Sequence, residues 1–296
     1  MENYYPPIAV TNCFHIYSNG KKMNLLFSSR AEKIFMMNLL AITSYSCGIR
    51  ILVHQVMDTH FHLIVAGKAT SCDRFRNRLL VKMVKFIRRK GSRAYSNGNF
   101  EISMMPINEA TELKDKFMYV YRNAIAADFN LMPWEYEWGP GNIYFVDHAA
   151  MSCIGRPLSR LSYNTQMKMF HTKVKLPAEW RINDEGMILP HCYIDWKRVE
   201  NMFGRSRVFI AFMHLGKDKV LNLNTYDATK VKEADLRKEA EELCMNIFNC
   251  RLKDANLDQR ISIAKKEWVD RRTFSIAMLS RVSLIDETVL RNILEP

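Results

Sequence analysis

The sequence predicts an α+β protein, an antiparallel sheet with helices on one face followed by an all-α C-terminal domain. Three observations lead there. Period-two, β-branched segments recur between Ile8 and Ala66, two of them close enough to form a hairpin. Stretches with apolar residues at helical spacing separate and follow them. From Tyr226 onward the strand patterns give way to charged helical ones.

Ile8 to Tyr17 alternates around Val10, Phe14 and Ile16 and reads as the first strand, closed by the turn residues Ser18-Asn19-Gly20. Ser29 with Glu32 three residues on forms a capping-box pattern, and Ile34, Met37, Leu40 and Ala41 continue at helical spacing to Gly48. Ile49 to Met57 and Phe61 to Ala66 are two strands separated only by Asp58-Thr59-His60, an antiparallel hairpin. A second helix covers Cys72 to Lys90, with Phe75, Leu79, Met83 and Phe86 as its apolar stripe. After a Gly/Ser/Asn loop, a short strand runs from Phe100 to Met105. A third helix runs from Asn108 to Ala127 with Leu113, Phe117, Val120 and Ala124 inward.

Composition limits the function classes. The 296 residues are 48% hydrophobic, enough for a full core and more than one domain. The formal net charge of +12 points to a polyanionic partner. No apolar run reaches eighteen residues and the N-terminus lacks a signal-peptide pattern, so the expectation is a cytoplasmic protein with no membrane partner. Seven scattered cysteines without a Cys-x-x-Cys pair fit free thiols rather than a disulfide framework.

The candidate chemistry starts at His60 and His62. In a strand, residues i and i+2 share a face, so both imidazoles point the same way and make half of a divalent-metal site, completed by an oxygen or amide ligand from elsewhere. On the third helix, a rotation of ~100° per residue places Tyr119 and Asn123 on one flank of the apolar stripe and Tyr121 on the other. A phenol and an amide are thus presented side by side. Along and just beyond the second helix, the stretch from Arg74 to Arg93 has nine Lys or Arg and no acid, an electrostatic footprint for phosphates that singles out Arg74, Arg78, Lys82, Lys85 and Arg89.

In combination these pieces resemble the single-tyrosine HUH transposases, in particular the REP-associated tyrosine transposases and their insertion-sequence relatives. The family's Met-Pro-Asn-His-hydrophobic-His motif is similar to Met57-Asp58-Thr59-His60-Phe61-His62. Its Tyr-x-x-x-Asn-Pro helix is matched by Tyr119-Val120-Tyr121-Arg122-Asn123-Ala124, and its Pro-x-x-Tyr-x-Trp-Ser-like segment by Pro133 to Gly139, with Tyr144 close behind. The resemblance covers residues 8–148. It implies a ferredoxin-like catalytic domain in which His60, His62 and Asn123 bind Mg²⁺ or Mn²⁺ and Tyr119 is the nucleophile. It also implies a single-stranded or hairpin DNA substrate and a 5′-phosphotyrosine intermediate. Two departures stand out: Asp58-Thr59 replaces Pro-Asn, and Ala124 replaces the proline after the amide. They mark a divergent branch and leave every ligand and the nucleophile in place.

The expected domains are residues 1–148, catalytic; 149–225, a partly helical connector; and 226–296, helical. In the connector, Leu176 to Trp180 reads as extended and Tyr193 to Phe212 as helix broken at Gly204. The last domain reads as helices over Thr229 to Phe248, Leu257 to Val269, Thr273 to Ser280 and Asp286 to Leu294. The final two resemble a helix-turn-helix, with Ile276, Ala277, Leu279, Val289, Leu290 and Ile293 packed inside, Ser283 near the place of the usual turn glycine and Arg281 and Arg291 as DNA contacts; a plain helical bundle is the alternative. The leading expectation is a monomeric metal-dependent single-strand DNA endonuclease and strand transferase. The rival is a domesticated, non-catalytic nucleic-acid-binding protein of the same fold. A metal-dependent hydrolase built on the His pair alone would need Asp58, which lies in the turn.

Overall fold

The computed structural model describes residues 12–18, 25–90, 100–127, 132–214, 233–271 and 274–294. The first seven elements follow the order β1 (Cys13–Ser18), α1 (Arg30–Cys47), β2 (Arg50–Val56), β3 (Phe61–Ala66), α2 (Ala69–Arg89), β4 (Ile102–Ile107) and α3 (Ala110–Ala127). The four strands form one antiparallel sheet in the order β2-β3-β1-β4. Each helical crossover therefore skips one strand, and β1 and β3 occupy the centre. The start of the predicted first strand, its closing turn and Arg93 lie outside the described residues.

Local chemistry accounts for the boundaries. Ser29 and Glu32 form the expected capping box at the start of α1. Gly48 ends the helix at φ 65°, a left-handed position that glycine takes without steric cost. The β2–β3 hairpin closes with the Met57 amide donating to the His60 carbonyl at 2.8 Å. Along β2, pairing shifts between Ile51 and Val53, so Leu52 is an extra residue in the ladder, and the Tyr144 hydroxyl donates to the carbonyl this bulge leaves over, at 2.6 Å.

Every residue of β3 is buried, as is β2 beyond Arg50. Both faces of these strands are therefore covered, where the sequence reading placed helices on one face only. α1 and α2 pack on each other and on β2 and β4, and α3 packs on β2 and β3. The outer edge of β2 is also capped. Tyr136 donates to the Val56 carbonyl at 2.9 Å, the Val56 amide donates to the Trp138 carbonyl at 3.0 Å, and the Asp195 amide donates to the Ile51 carbonyl at 2.8 Å.

The expected connector is not a separate layer. One apolar cluster runs from Cys13 to Met213 and includes Leu158, Trp180, Ile182, Ile188 and Val199. Within it lie α4 (His148–Met151), α5 (Tyr163–Phe170), α6 (Trp196–Phe203) and α7 (Ser206–His214), with the break at Gly204 where expected. A second apolar cluster, Leu236 to Leu290, belongs to α8 (Glu233–Phe248), α9 (Leu257–Arg271), α10 (Ile276–Ser283) and α11 (Glu287–Leu294). The beginning of the first C-terminal helix, at Thr229, lies outside the described residues. No helix among them is long and apolar enough to cross a membrane, and all seven cysteines are free thiols.

Candidate active site

The site forms where the sheet meets α3. Tyr17 on β1, His62 on β3 and Gln55 on β2 stand in one row across three strands, with His15 two residues from Tyr17 on the same face. Above this row lies α3. The Tyr119 ring meets the His62 ring nearly edge-on, centroids 5.5 Å apart at 84°, and the His15 ring at 6.2 Å. Tyr119 is 39% exposed and Tyr121 only 2%, so the helical-wheel separation of the two tyrosines holds. Burial pushes the Tyr121 phenol well above its ordinary range, which keeps it protonated and unreactive.

His60 and His62 lie with ring centroids 5.0 Å apart and planes at 88°. Each ring is oriented through Nδ1. For His60 the partner is Thr59 Oγ1 at 2.8 Å, and for His62 it is His15 Nε2 at 3.1 Å. In the tautomer in which Nδ1–H donates, each Nε2 keeps its lone pair, the arrangement by which an outer hydrogen bond prepares an imidazole to bind a metal. Burial is the main cause of lowered proton affinity in all three rings: His60 and His15 are held down to about 4 and His62 to about 2. Nearby cations add to this, Lys266 for His60 and Lys116 for His15 and His62. All three imidazoles are therefore neutral at pH 7.

Asn123 is 8% exposed and its side-chain nitrogen has no hydrogen-bond partner. A buried orphan amide is costly unless a ligand satisfies it, and rotating the amide end for end puts its oxygen in that place. Neutral imidazole nitrogens and an amide oxygen are the kinds of donor that ligate divalent cations, the imidazoles favouring transition ions over Mg²⁺. Among the described residues, no group of three or more His, Cys, Asp and Glu side chains is arranged to hold a metal ion. Asp58 pairs with Lys33 at 2.5 Å, and its charge partly offsets the effects that lower the His60 proton affinity.

Other sequence-derived site residues lie apart. Arg74, Arg78 and Lys82 line a groove between α1, α2 and the segment around α5, while Lys85 and Arg89 are exposed farther along α2. In the C-terminal helices, Arg281 is paired with Glu233 at 2.9 Å and Arg291 with Glu287 at 2.8 Å, so neither is an unopposed cation. The expected interior of that helix pair is also only partly observed. Leu290 is fully buried and Val289 is 38% exposed, and the turn residue in left-handed conformation is Leu284, one position beyond Ser283. Ser283 is itself buried and spends its hydroxyl on the Leu279 carbonyl at 2.7 Å.

His15 and Gln55 were not singled out in the sequence. The signal for His15 was its place in Cys13-x-His15-x-Tyr17, the polar phase of an alternating strand. Gln55 is fully buried and donates to the Tyr121 carbonyl at 3.1 Å, tying β2 to the helix that carries Tyr119. Gly139 makes room for it, since a Cβ there would come within 2.7 Å of Gln55 Oε1.

No protein-family model, curated protein or solved structure matches the chain.

Proposed function

We propose that the protein is a single-strand DNA endonuclease and strand transferase of the single-tyrosine HUH type, with Tyr119 as nucleophile and His60, His62 and Asn123 as ligands of Mg²⁺ or Mn²⁺. The observation that carries this reading is the half-exposed Tyr119 phenol set against the His62 ring, from a helix that also presents an orphaned buried amide. The β1-α1-β2-β3-α2-β4 order with its central β1 and β3 supports a ferredoxin-like catalytic domain. Two residues where the chain departs from the family motif stay compatible with the chemistry. Thr59 orients His60, and Asp58 is paired with Lys33 in the turn.

A bound divalent cation supplies charge stabilisation at the scissile phosphate. Tyr119 Oη forms a bond to phosphorus while the bond from phosphorus to the 3′ oxygen breaks, giving a 5′-phosphotyrosine and a 3′-hydroxyl. In net terms the phenol proton moves to the leaving oxygen. The reverse attack by another 3′-hydroxyl rejoins strands without an external energy source. His15 holds the His62 ring, and Gln55 holds the α3 backbone two residues from the nucleophile, so metal ligands and phenol are placed by packed elements rather than loops. Cleavage in cis would use the Tyr119 and His62 that meet within one chain.

The test is incubation with labelled single-stranded hairpins and Mn²⁺, followed by a denaturing protein gel. The expected result is a shifted covalent band that Tyr119→Phe abolishes and Tyr121→Phe retains. Metal-independent binding with no covalent band across a broad hairpin set would replace this reading with that of a non-catalytic nucleic-acid-binding protein.

A further inference from the structure

α1 carries two apolar stripes. Met36, Met37, Leu40 and Ala41 are fully buried against the sheet side, while half-buried Ile34 and the largely buried Leu39 and Ile42 form the floor of a groove of about 990 Å³ together with Val81 of α2 and Met169 and Phe170 of α5. Val81 is 53% exposed, so the groove is open along its α2 side. Its floor is braced where Asn38 of α1 donates to the Gly186 carbonyl at 3.0 Å and accepts from the Ile188 amide at 2.7 Å.

The charges around the groove are unbalanced. Asp73 is paired with Arg76, and both Glu185 oxygens are taken by Arg30. Arg74, Arg78 and Lys82 line the same groove and have no carboxylate partner among the described residues; the Arg78 guanidinium donates only to Ser46 Oγ and Cys47 Sγ. The acids are neutralised internally and the cations are left for something else. These three follow at i, i+4 and i+8, one rim of the groove at ~6 Å intervals.

We propose that this groove is a docking site for an amphipathic helix of a protein partner, its apolar face on the α1 stripe and carboxylates on the flank facing Arg74, Arg78 and Lys82. The α1 side of the groove extends from Ala31 to Ser46, ~22 Å of helix, which matches a helix of about fifteen residues and exceeds a single drug-sized ligand. An apolar floor gives a phosphate backbone nothing to bond, whereas an amphipathic helix buries its own apolar side chains there. The three cations assigned to nucleic acid from sequence are in this view a protein-recognition rim, on elements other than the one bearing Tyr119.

The test uses the full chain and two labelled fifteen-residue amphipathic peptides with the same leucine face, one with a glutamate flank and one with a lysine flank. In fluorescence anisotropy the glutamate peptide binds and the lysine peptide does not. Arg74→Glu combined with Lys82→Glu weakens binding by about tenfold or more through like-charge opposition, and the uncharged Val81→Asn does so without altering the charged rim. Hydrogen exchange of the complex shows added protection on α1 and α2. Equal binding of both peptides, or affinity unchanged in these variants, overturns the proposal, as does a labelled single-stranded oligonucleotide that binds wild type and loses affinity in the double variant while neither peptide binds. The DNA-cleavage reading is tested separately, because none of these substitutions touches Tyr119 or the histidines.

Discussion

Among single residues, burial does most to set the chemistry. His54 is fully buried, bonded to the Tyr193 hydroxyl at 2.9 Å, and held down to about 3 from an ordinary 6.5. The unfolded chain protonates this imidazole near pH 6.5 and the folded chain does not until about pH 3, so the unfolded state binds more protons throughout that window. Its stabilising contribution is complete above pH 6.5 and is lost as pH falls toward 3. His15 and His60, held down to about 4, act in the same direction. The thermal midpoint is therefore expected to drop between pH 7 and pH 5, with a shallower drop in His54→Gln, which keeps an acceptor for Tyr193 and cannot titrate there. A midpoint flat across that range would contradict this assignment. Lys266 offers a second check: exchanging its charge for Met removes a cation that lowers the His60 affinity for protons, so the His60 midpoint, followed by NMR, should rise from about 4.

The elements depend on a few unusual contacts. Tyr144 serves the β2 bulge, and Tyr144→Phe leaves the Leu52 carbonyl without its buried donor, an expected loss of about 1–3 kcal/mol measured by denaturant unfolding. Ser29→Ala removes one half of the α1 capping box and should cost about 1 kcal/mol in the same assay. Gly139→Ala is the more informative change. The new methyl displaces Gln55, which loosens the link to the Tyr121 carbonyl and the placement of α3. Covalent adduct formation should then fall more than thermal stability does; an adduct yield equal to wild type would show that Gln55 has no positioning role.

At the scale of the whole molecule, the described residues form two apolar clusters that share no residue, one ending at Met213 and the other beginning at Leu236. Calorimetry is expected to resolve two transitions, and a mutation such as Leu279→Ala in the second cluster should lower only one of them, by about 2–5 kcal/mol of stability. The units still touch: α9 packs on α3, and its Lys266 is close enough to His60 to influence it. A single transition moved as a whole by Leu279→Ala would mean this contact couples the two cores.

Local patterns made much of this legible in advance. The capping box of α1, the hairpin at His60, the phases of Tyr119 and Tyr121 and the break at Gly204 all follow from interactions within a few residues, and such interactions are readable from spacing alone. The same rule placed His60 and His62 on one face. It could not place His15 beside His62, since 47 residues separate them and only strand register brings them together. Nor could it foresee that the α2 cations would border an apolar groove or that Arg281 would find Glu233, 48 residues away, whereas the Glu287–Arg291 pair at i and i+4 is itself a matter of spacing. Covalent spacing determines which face a side chain takes on its own element. What that face meets depends on how the elements pack, and burial, pairing and proton affinity follow from this tertiary choice.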